Sequence, residues 1–292
     1  MNRVVLTGCN GQLGSEIQYL SRDNSDIELF SYDVESLDIS NPSAVKAVLS
    51  DIRPDTVINA AAYTAVDKAE DEAEKAFLVN KTGPENLAKA CSELNIRLIH
   101  ISTDFVFSGE VNRPYPIDQN PEPIGVYGDS KLAGDNAVRE NLPDNSVIIR
   151  TSWVYSSFGN NFVKTMIRLM QEKDQLGIVW DQIGSPTYAR NLAGACLRIL
   201  KKPNANGIYH WSDLGVASWY DFAIAIQDIA VELGILHQKI PVAPIFSSEY
   251  PTPAKRPAYS VMDTTALRSE LNLDGEHWRS ALQKMQQELI KQ

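Results

Sequence analysis

Cysteine, histidine and surplus positive charge are all scarce in this sequence, and each shortage removes a class of function. Three cysteines (Cys9, Cys91 and Cys196) stand far apart in a chain of 292 residues. An odd, scattered set offers no disulfide framework, so the chain reads as reduced and cytoplasmic. The four histidines (His100, His210, His237 and His277) show none of the spacings of a zinc site, and no metal is expected from them. A net charge of −10 leaves no basic face for a phosphate backbone, which excludes nucleic acid as a principal partner. A small anionic ligand stays open, because it needs only a local group of backbone N–H donors and a few cations. Apolar runs of membrane-spanning length are absent, and the apolar stretch at Met1–Leu6 is too short for a signal peptide.

What is present is an alternation. Val4–Leu6, Ile27–Tyr32, Thr56–Asn59, Arg97–Ser102 and Val147–Arg150 are short β-rich runs. Between them lie stretches with helical spacing, such as Leu13, Ile17 and Leu20. Ser40-Asn41-Pro42 marks a helix start, a capping side chain before a proline at the first helical position. Glu70–Leu94 is rich in helix formers, with a break or kink expected at Pro84. Tyr127–Arg139 is a further helix. Such a sequence predicts an α/β fold, a Rossmann-type doubly wound parallel sheet with helices on both faces. Beyond about residue 153 the alternation loosens and proline loops appear. The expected division is a dinucleotide-binding domain over 1–152, with 178–202 returning to it. A smaller C-terminal α/β substrate lobe takes 153–177 and 203–292.

Gly8-Cys9-Asn10-Gly11-Gln12-Leu13-Gly14 carries a G-x-x-G-x-x-G spacing directly after a strand and at the opening of a helix. Missing side chains let the backbone approach a pyrophosphate, and the helix N-terminus supplies N–H donors. The strand–loop–helix setting lifts this above a bare glycine turn. Asp33 follows Gly14 by 19 residues, at the end of the next strand, where a carboxylate binds a ribose 2′-hydroxyl and repels a 2′-phosphate. The cofactor is thus NADH or NADPH, with NADH favoured. Asp38-Ile39 suits the loop beside the adenine. Ala60-Ala61-Ala62 suits either a flat approach to the cofactor or tight strand–helix packing.

Tyr127-Gly128-Asp129-Ser130-Lys131 sets a phenol and an ammonium one helical turn apart on the same face. A neighbouring cation favours the phenolate and brings the phenol towards working pH, as a proton donor to an alkoxide requires. Ser102-Thr103-Asp104 ends a strand at the edge that faces ligand in a parallel sheet. Thr103 suits a hydrogen bond to a ketone oxygen, or a turn cap.

Together these residues resemble the extended short-chain dehydrogenases/reductases. Asn59–Asp67, Ser102–Phe107, Arg150–Tyr155, Asp181–Thr187 and Tyr250–Pro257 narrow the resemblance to the dTDP-4-dehydrorhamnose reductase family. The resemblance implies reduction of a sugar-nucleotide C4 ketone, the last step of dTDP-L-rhamnose synthesis. It implies Gly11, Gln12, Leu13, Asp33, Asp38, Ile39, Ala62, Tyr63 and Thr64 at the cofactor. It further implies Tyr127 as proton donor, Lys131 as its partner, and Thr103, Asp104 and Trp153 at the sugar nucleotide. Trp153 equally suits a core aromatic. Lys255 and Arg256 suit either the substrate diphosphate or a solvated charge pair. Some family members carry carboxylates after the Pro-Thr of the Asp181–Thr187 motif and use them to bind magnesium at a dimer interface. Here Tyr188-Ala189-Arg190-Asn191 follows and only Glu16 remains, so no metal is expected. A monomer or a different homodimer stays open. The rival readings are another sugar-nucleotide epimerase or reductase, and a non-catalytic regulatory subunit like the β subunit of methionine adenosyltransferase.

Overall fold

The structure, a computed structural model, describes residues 1–291. The first half runs β1 (Asn2–Thr7), α1 (Gln12–Ser21), β2 (Ile27–Tyr32), α2 (Pro42–Ile52) and β3 (Thr56–Asn59). Short helices α3 (Val66–Ala69) and α4 (Ala73–Phe77) follow, then α5 (Gly83–Leu94), β4 (Arg97–Thr103), α6 (Val126–Asn141) and β5 (Ser146–Thr151). The second half comprises β6 (Val154–Tyr155), α7 (Phe162–Glu172), β7 (Leu176–Val179), β8 (Ile183–Gly184), β9 (Thr187–Tyr188), α8 (Ala189–Ile199) and β10 (Gly207–Trp211). It ends with β11 (Ala217–Ser218), α9 (Trp219–Glu232), β12 (Val242–Ile245), α10 (Thr265–Leu271) and α11 (Trp278–Leu289).

Six strands form one sheet in the order β10-β5-β4-β3-β1-β2, parallel throughout. The expected α/β class and doubly wound parallel sheet are what the chain forms. Alternate strand residues serve opposite faces. Val4, Leu6, Ile58, Ile99 and Ile149 pack with Leu13 and Ile17 of α1, Leu192 and Ile199 of α8, and Leu267 of α10. Val5, Val57, Leu98 and Ile148 pack on the other side with Val45 and Leu49 of α2, Leu87 and Cys91 of α5, and Val138 of α6. Burial on both faces explains why these strands read as nearly continuous apolar runs. The chain leaves β1 towards β2 on one side and returns as β3 on the other. That reversal opens a crevice at the strands' carboxyl ends, where ligands bind in such sheets.

The local signals act as the residues require. The Asn41 side chain accepts from the backbone N–H groups of Ser43 and Ala44, and Pro42 opens α2. The break expected at Pro84 occurs earlier: Leu78–Thr82 form a π turn, and Pro84 sits in the first turn of α5, where a missing N–H costs nothing. All three cysteines are free and buried. Among the described residues, no helix is long and apolar enough to cross a membrane.

A second core gathers Val163 and Met166 of α7, Phe222 and Ile226 of α9, and Leu282 and Met285 of α11. The segments do not follow the expected division throughout. The edge strand β10 belongs to the large sheet, and α10 packs on the same core through Leu267 and Leu271, although both lie within 203–292. Ile178 and Val179, in the stretch expected to rejoin the sheet, pair instead with Pro244 and Ile245 of β12. Short strands after proline loops carry too little periodicity to show which sheet receives them.

One ion cluster ties the two bodies together. Glu16 of α1 is wholly buried and accepts from Ser156 Oγ at 2.7 Å and from Arg190 Nε at 2.7 Å. The Arg190 guanidinium also binds Glu288 of α11 and lies 4.2 Å from the Tyr19 ring centroid. Burial pushes the Glu16 carboxyl upward; the bonds from Ser156 and Arg190 oppose it. Removing the guanidinium leaves a buried carboxylate unpaired, so Arg190→Ala should lose about 3 kcal/mol of stability in urea unfolding. The double variant with Glu16→Gln should recover part of that loss.

Candidate active site

The glycine loop turns sharply because it must clear β3. Gly8 has φ +72°, and a Cβ there would stand 2.6 Å from the Ala61 nitrogen. Hydrogen bonds from Cys9 N to Tyr32 O (3.0 Å) and from Ala60 N to Thr7 O (3.1 Å) fasten the loop between its neighbours. Gly11 caps α1 without a side chain, so the helix's first N–H groups face the crevice with no side-chain acceptor. That backbone is a cradle for a pyrophosphate, and the site fits the dinucleotide that the sequence predicts.

A cavity of about 460 Å³ opens beside it. Asn10, Gly11, Gln12, Leu13, Ala60, Ala62 and Thr64 line one end, and Thr103, Asp104, Tyr127, Lys131 and Trp153 the other. Residues read from separate motifs thus meet in one space. Gly159 and Asn160 add a wall from the second body. Gln12 reaches that wall, accepting from Asn161 Nδ2 at 3.0 Å.

Other expected residues stand apart from the cavity. Asp33 ends β2 with its Oδ1 accepting from Glu35 N (3.1 Å), Ser36 N (3.3 Å) and Ser36 Oγ (3.1 Å), while Asn10 Nδ2 donates to Oδ2. Ile39 is core: it packs with Leu37 and Val45, and it occupies the space a side chain at Gly83 would need. Asp38 is exposed and accepts from Ser40 N and Oγ. Ala61 backs the loop at Gly8, whereas Tyr63 is tied to Asn80 and Glu72. Tyr63 N donates to Asn80 Oδ1 at 2.8 Å, and Asn80 Nδ2 in turn donates to Ser130 Oγ of α6 at 3.0 Å.

At the other end, α6 delivers Tyr127 and Lys131 on one face, as their spacing predicts. The Lys131 side chain is 2% exposed and its Nζ donates to the Ile101 carbonyl at 2.6 Å. Burial lowers the ammonium to about 8, and the charge of Asp135 pulls the other way. Burial likewise raises the Tyr127 phenol to about 12; the Thr103 hydroxyl opposes this, and the charges of Asp104 and Asp135 add to it. The expected downward pull of a neighbouring cation is therefore reversed here. The half-buried phenol faces the cavity with Asp104 and Asp135 acting on it, and the Lys131 amine is turned to a carbonyl. Thr103 Oγ1 donates to Asp104 Oδ1 at 3.1 Å, and burial raises the Asp104 carboxyl to about 6.

Trp153 is half-buried, between cavity and core. It lines the cavity, and its indole stacks on Trp219 with centroids 3.6 Å apart and planes within 4°. Its backbone is left-handed, φ +46°, a strained setting for a bulky residue. A Cβ at Gly184 would lie 2.6 Å from that indole. Arg256 is neither free nor merely solvated: it makes a two-pronged pair with Asp67, Nη1 to Oδ1 at 3.0 Å and Nη2 to Oδ2 at 2.9 Å. It also borders a small recess shared with Gln182, Trp153 and Trp219. Lys255 is exposed.

Sequence reading missed a buried polar line behind the cavity. Thr7, Asn59 and His100 are direct neighbours in the sheet register. Thr7 Oγ1 donates to Asn59 Oδ1 (2.7 Å), and Asn59 Nδ2 contacts His100 Nδ1 (3.0 Å). Asp135 of α6 pairs with Arg150 Nε at 3.2 Å and faces His100 Nε2 at 3.9 Å. The available signal was a polar residue inside each apolar strand run.

The family description "RmlD substrate binding domain" matches residues 1–291. The chain belongs to the dTDP-4-dehydrorhamnose reductase family. A member from Aggregatibacter actinomycetemcomitans is 41% identical over 290 residues, covering 98% of each chain. The dTDP-4-dehydrorhamnose reductase of Escherichia coli strain K12 is 40% identical over 295 residues, again covering 98% of both. Among solved structures, the family member from Bacillus anthracis, crystallised with NADP, aligns with a TM-score of 0.92 at 39% identity, covering 98% of this chain and 99% of its own. Where some family members are expected to place a metal, Glu16 is here paired with Arg190. No cluster of three or more metal-ligating side chains exists among the described residues.

Proposed function

We propose that the chain reduces the C4 ketone of dTDP-4-dehydro-L-rhamnose to the alcohol of dTDP-L-rhamnose, using NADH or NADPH. One observation carries the reading: the hydroxyls of Thr103 and Tyr127 and the amine of Lys131 share a cavity with the glycine cradle. Full-length likeness to reductases of this name supports the substrate.

A reduced nicotinamide held in the crevice supplies hydride to the ketone carbon. The chain's own groups manage the charge and the proton. Thr103 and Tyr127 donate hydrogen bonds to the carbonyl oxygen, where negative charge develops. Tyr127 then gives its proton to that oxygen. A phenol near 12 stays protonated throughout the neutral range, so the donor is always loaded. Lys131, as a cation, stabilises the phenolate left behind and holds the nicotinamide ribose. The stacked tryptophans and the recess by Arg256 form the sugar-nucleotide side, with Gly159 and Asn160 of the second body as a wall.

Asp33 supports a preference for NADH. Its carboxylate is held by three donors from Glu35 and Ser36 and by Asn10, so it cannot readily turn from a 2′-phosphate.

Tyr127→Phe should lower turnover at least ~100-fold while dinucleotide binding, read by nicotinamide fluorescence, stays within about threefold. Retained turnover would remove the phenol from the mechanism. The kcat/KM profile should fall above about pH 8: the Lys131 ammonium is present below that value and lost above it. Asp33→Ala should raise the NADPH-to-NADH ratio of kcat/KM roughly tenfold, about 1.4 kcal/mol; an unchanged ratio would strip Asp33 of this part.

A further inference from the structure

The buried line behind the cavity has more charge than a core needs for packing. Asp135 stands four residues after Lys131, on the same inward face of α6. Both side chains are essentially sealed from water, Lys131 at 2% exposure and Asp135 at none. Arg150, from β5, is the third buried charge, its Nε 3.2 Å from Asp135 Oδ2. A lone buried carboxylate among apolar strands would be costly, and so would a lone ammonium.

We propose that Asp135 is the positioning residue for Lys131, a fixed counter-charge that keeps the amine a cation at the floor of the cavity. The inference rests on the reductase reading only where it concerns turnover. The charge coupling itself rests on the placement of Lys131 and Asp135 one turn apart on the buried face of α6, beside the Asp135–Arg150 pair, while Lys131 Nζ donates to the Ile101 carbonyl.

Every element packed around Asp135 contributes to its state. Lys131 lies on its own helix, His100 on β4 and Arg150 on β5. Tyr127 feels Asp135 and Asp104 together, and His210 on β10 faces Arg150. His100 is held neutral, mainly by burial, with Lys131 acting in the same direction. With the Asn59 amide donating to Nδ1, the proton of that imidazole lies on Nε2, towards Asp135 Oδ1. Burial pushes the Asp135 carboxyl upward, and Arg150, Ser102 and Lys131 pull it back towards the anion. The carboxylate is shared between Arg150, which it touches, and Lys131, which it keeps charged. Burial alone would drive the lysine further towards the neutral amine, and Asp135 opposes this.

Two isosteric or near-isosteric changes then have opposite signs. Asp135→Asn removes the anion and leaves the buried Lys131 and Arg150 cations without it. Arg150→Gln removes the competing cation and leaves the carboxylate to Lys131. A purely structural part for Asp135 would give two destabilised proteins with no such opposition.

The test uses the full chain with ¹³Cε-labelled lysine, Lys131 assigned by the loss of its signal in Lys131→Arg. Its titration is followed by NMR beside the kcat/KM profile. In Asp135→Asn the Lys131 midpoint should fall by about one pH unit or more, and the basic limb of kcat/KM should fall with it. In Arg150→Gln both should rise. Asp135→Glu should restore the wild-type limb. If one variant fails to fold, the sign of the other decides alone. A midpoint that does not move, or moves the wrong way, overturns the proposal. So does a midpoint that moves while the limb of kcat/KM stays in place. A wild-type chain that reduces no ketone, with the midpoints shifting as stated, would instead remove the reductase reading and leave the charge coupling standing.

Discussion

A lysine held out of water has to find its negative charge inside the protein, and much of the molecule's polar architecture answers to that need. The amine cannot be hydrated, so its partners are the Ile101 carbonyl and the field of Asp135. Asp135 in turn cannot stand alone, and Arg150 and His100 bracket it from two adjacent strands. His100 is met by Asn59, and Asn59 by Thr7, at one level of the sheet register. The chain of partners ends beside Gly8, where the dinucleotide cradle begins. One line of side chains thus connects the two halves of the site through the interior, so the sheet does more than hold loops apart.

The two bodies of the protein are joined by a different device. Helix α1 is tied to α8 and α11 through Glu16, Arg190 and Glu288, and α3 is tied to the Tyr250–Pro257 segment through Asp67 and Arg256. The first cluster is remote from the catalytic end and largely shielded from solvent, so it behaves as a permanent weld. The second is more exposed, stands beside the recess that adjoins the tryptophans, and is correspondingly weaker.

Much of this was legible in the sequence, and the reasons differ by feature. The glycine loop, the Tyr127–Lys131 pair and the parallel sheet follow from spacing, because period and turn chemistry are local properties. Asp33 was legible from its position at the end of β2, although the donors that fix it were not. The fates of Ile39 and Asp38 were not legible, since only the packing of α2 and α5 turns one inward and leaves the other in solvent. The same holds for β10: a five-residue strand reveals its register only when a sheet edge is there to receive it. Asn59, His100, Asp135 and Arg150 are scattered through the chain, and only the sheet makes them neighbours. The direction of the Tyr127 shift depended on burial, which spacing cannot report.

Gly184 has a role that belongs to shape and not to chemistry. It lies against the Trp153 indole, with Trp219 stacked on the same ring. The indole is thus backed by a backbone with nothing projecting from it, and its own left-handed turn aims it there. Any side chain at 184 would have to displace that ring, which lines the cavity. The width of the cavity at Trp153 is therefore set by a methyl group that the protein leaves out, two residues before Pro186.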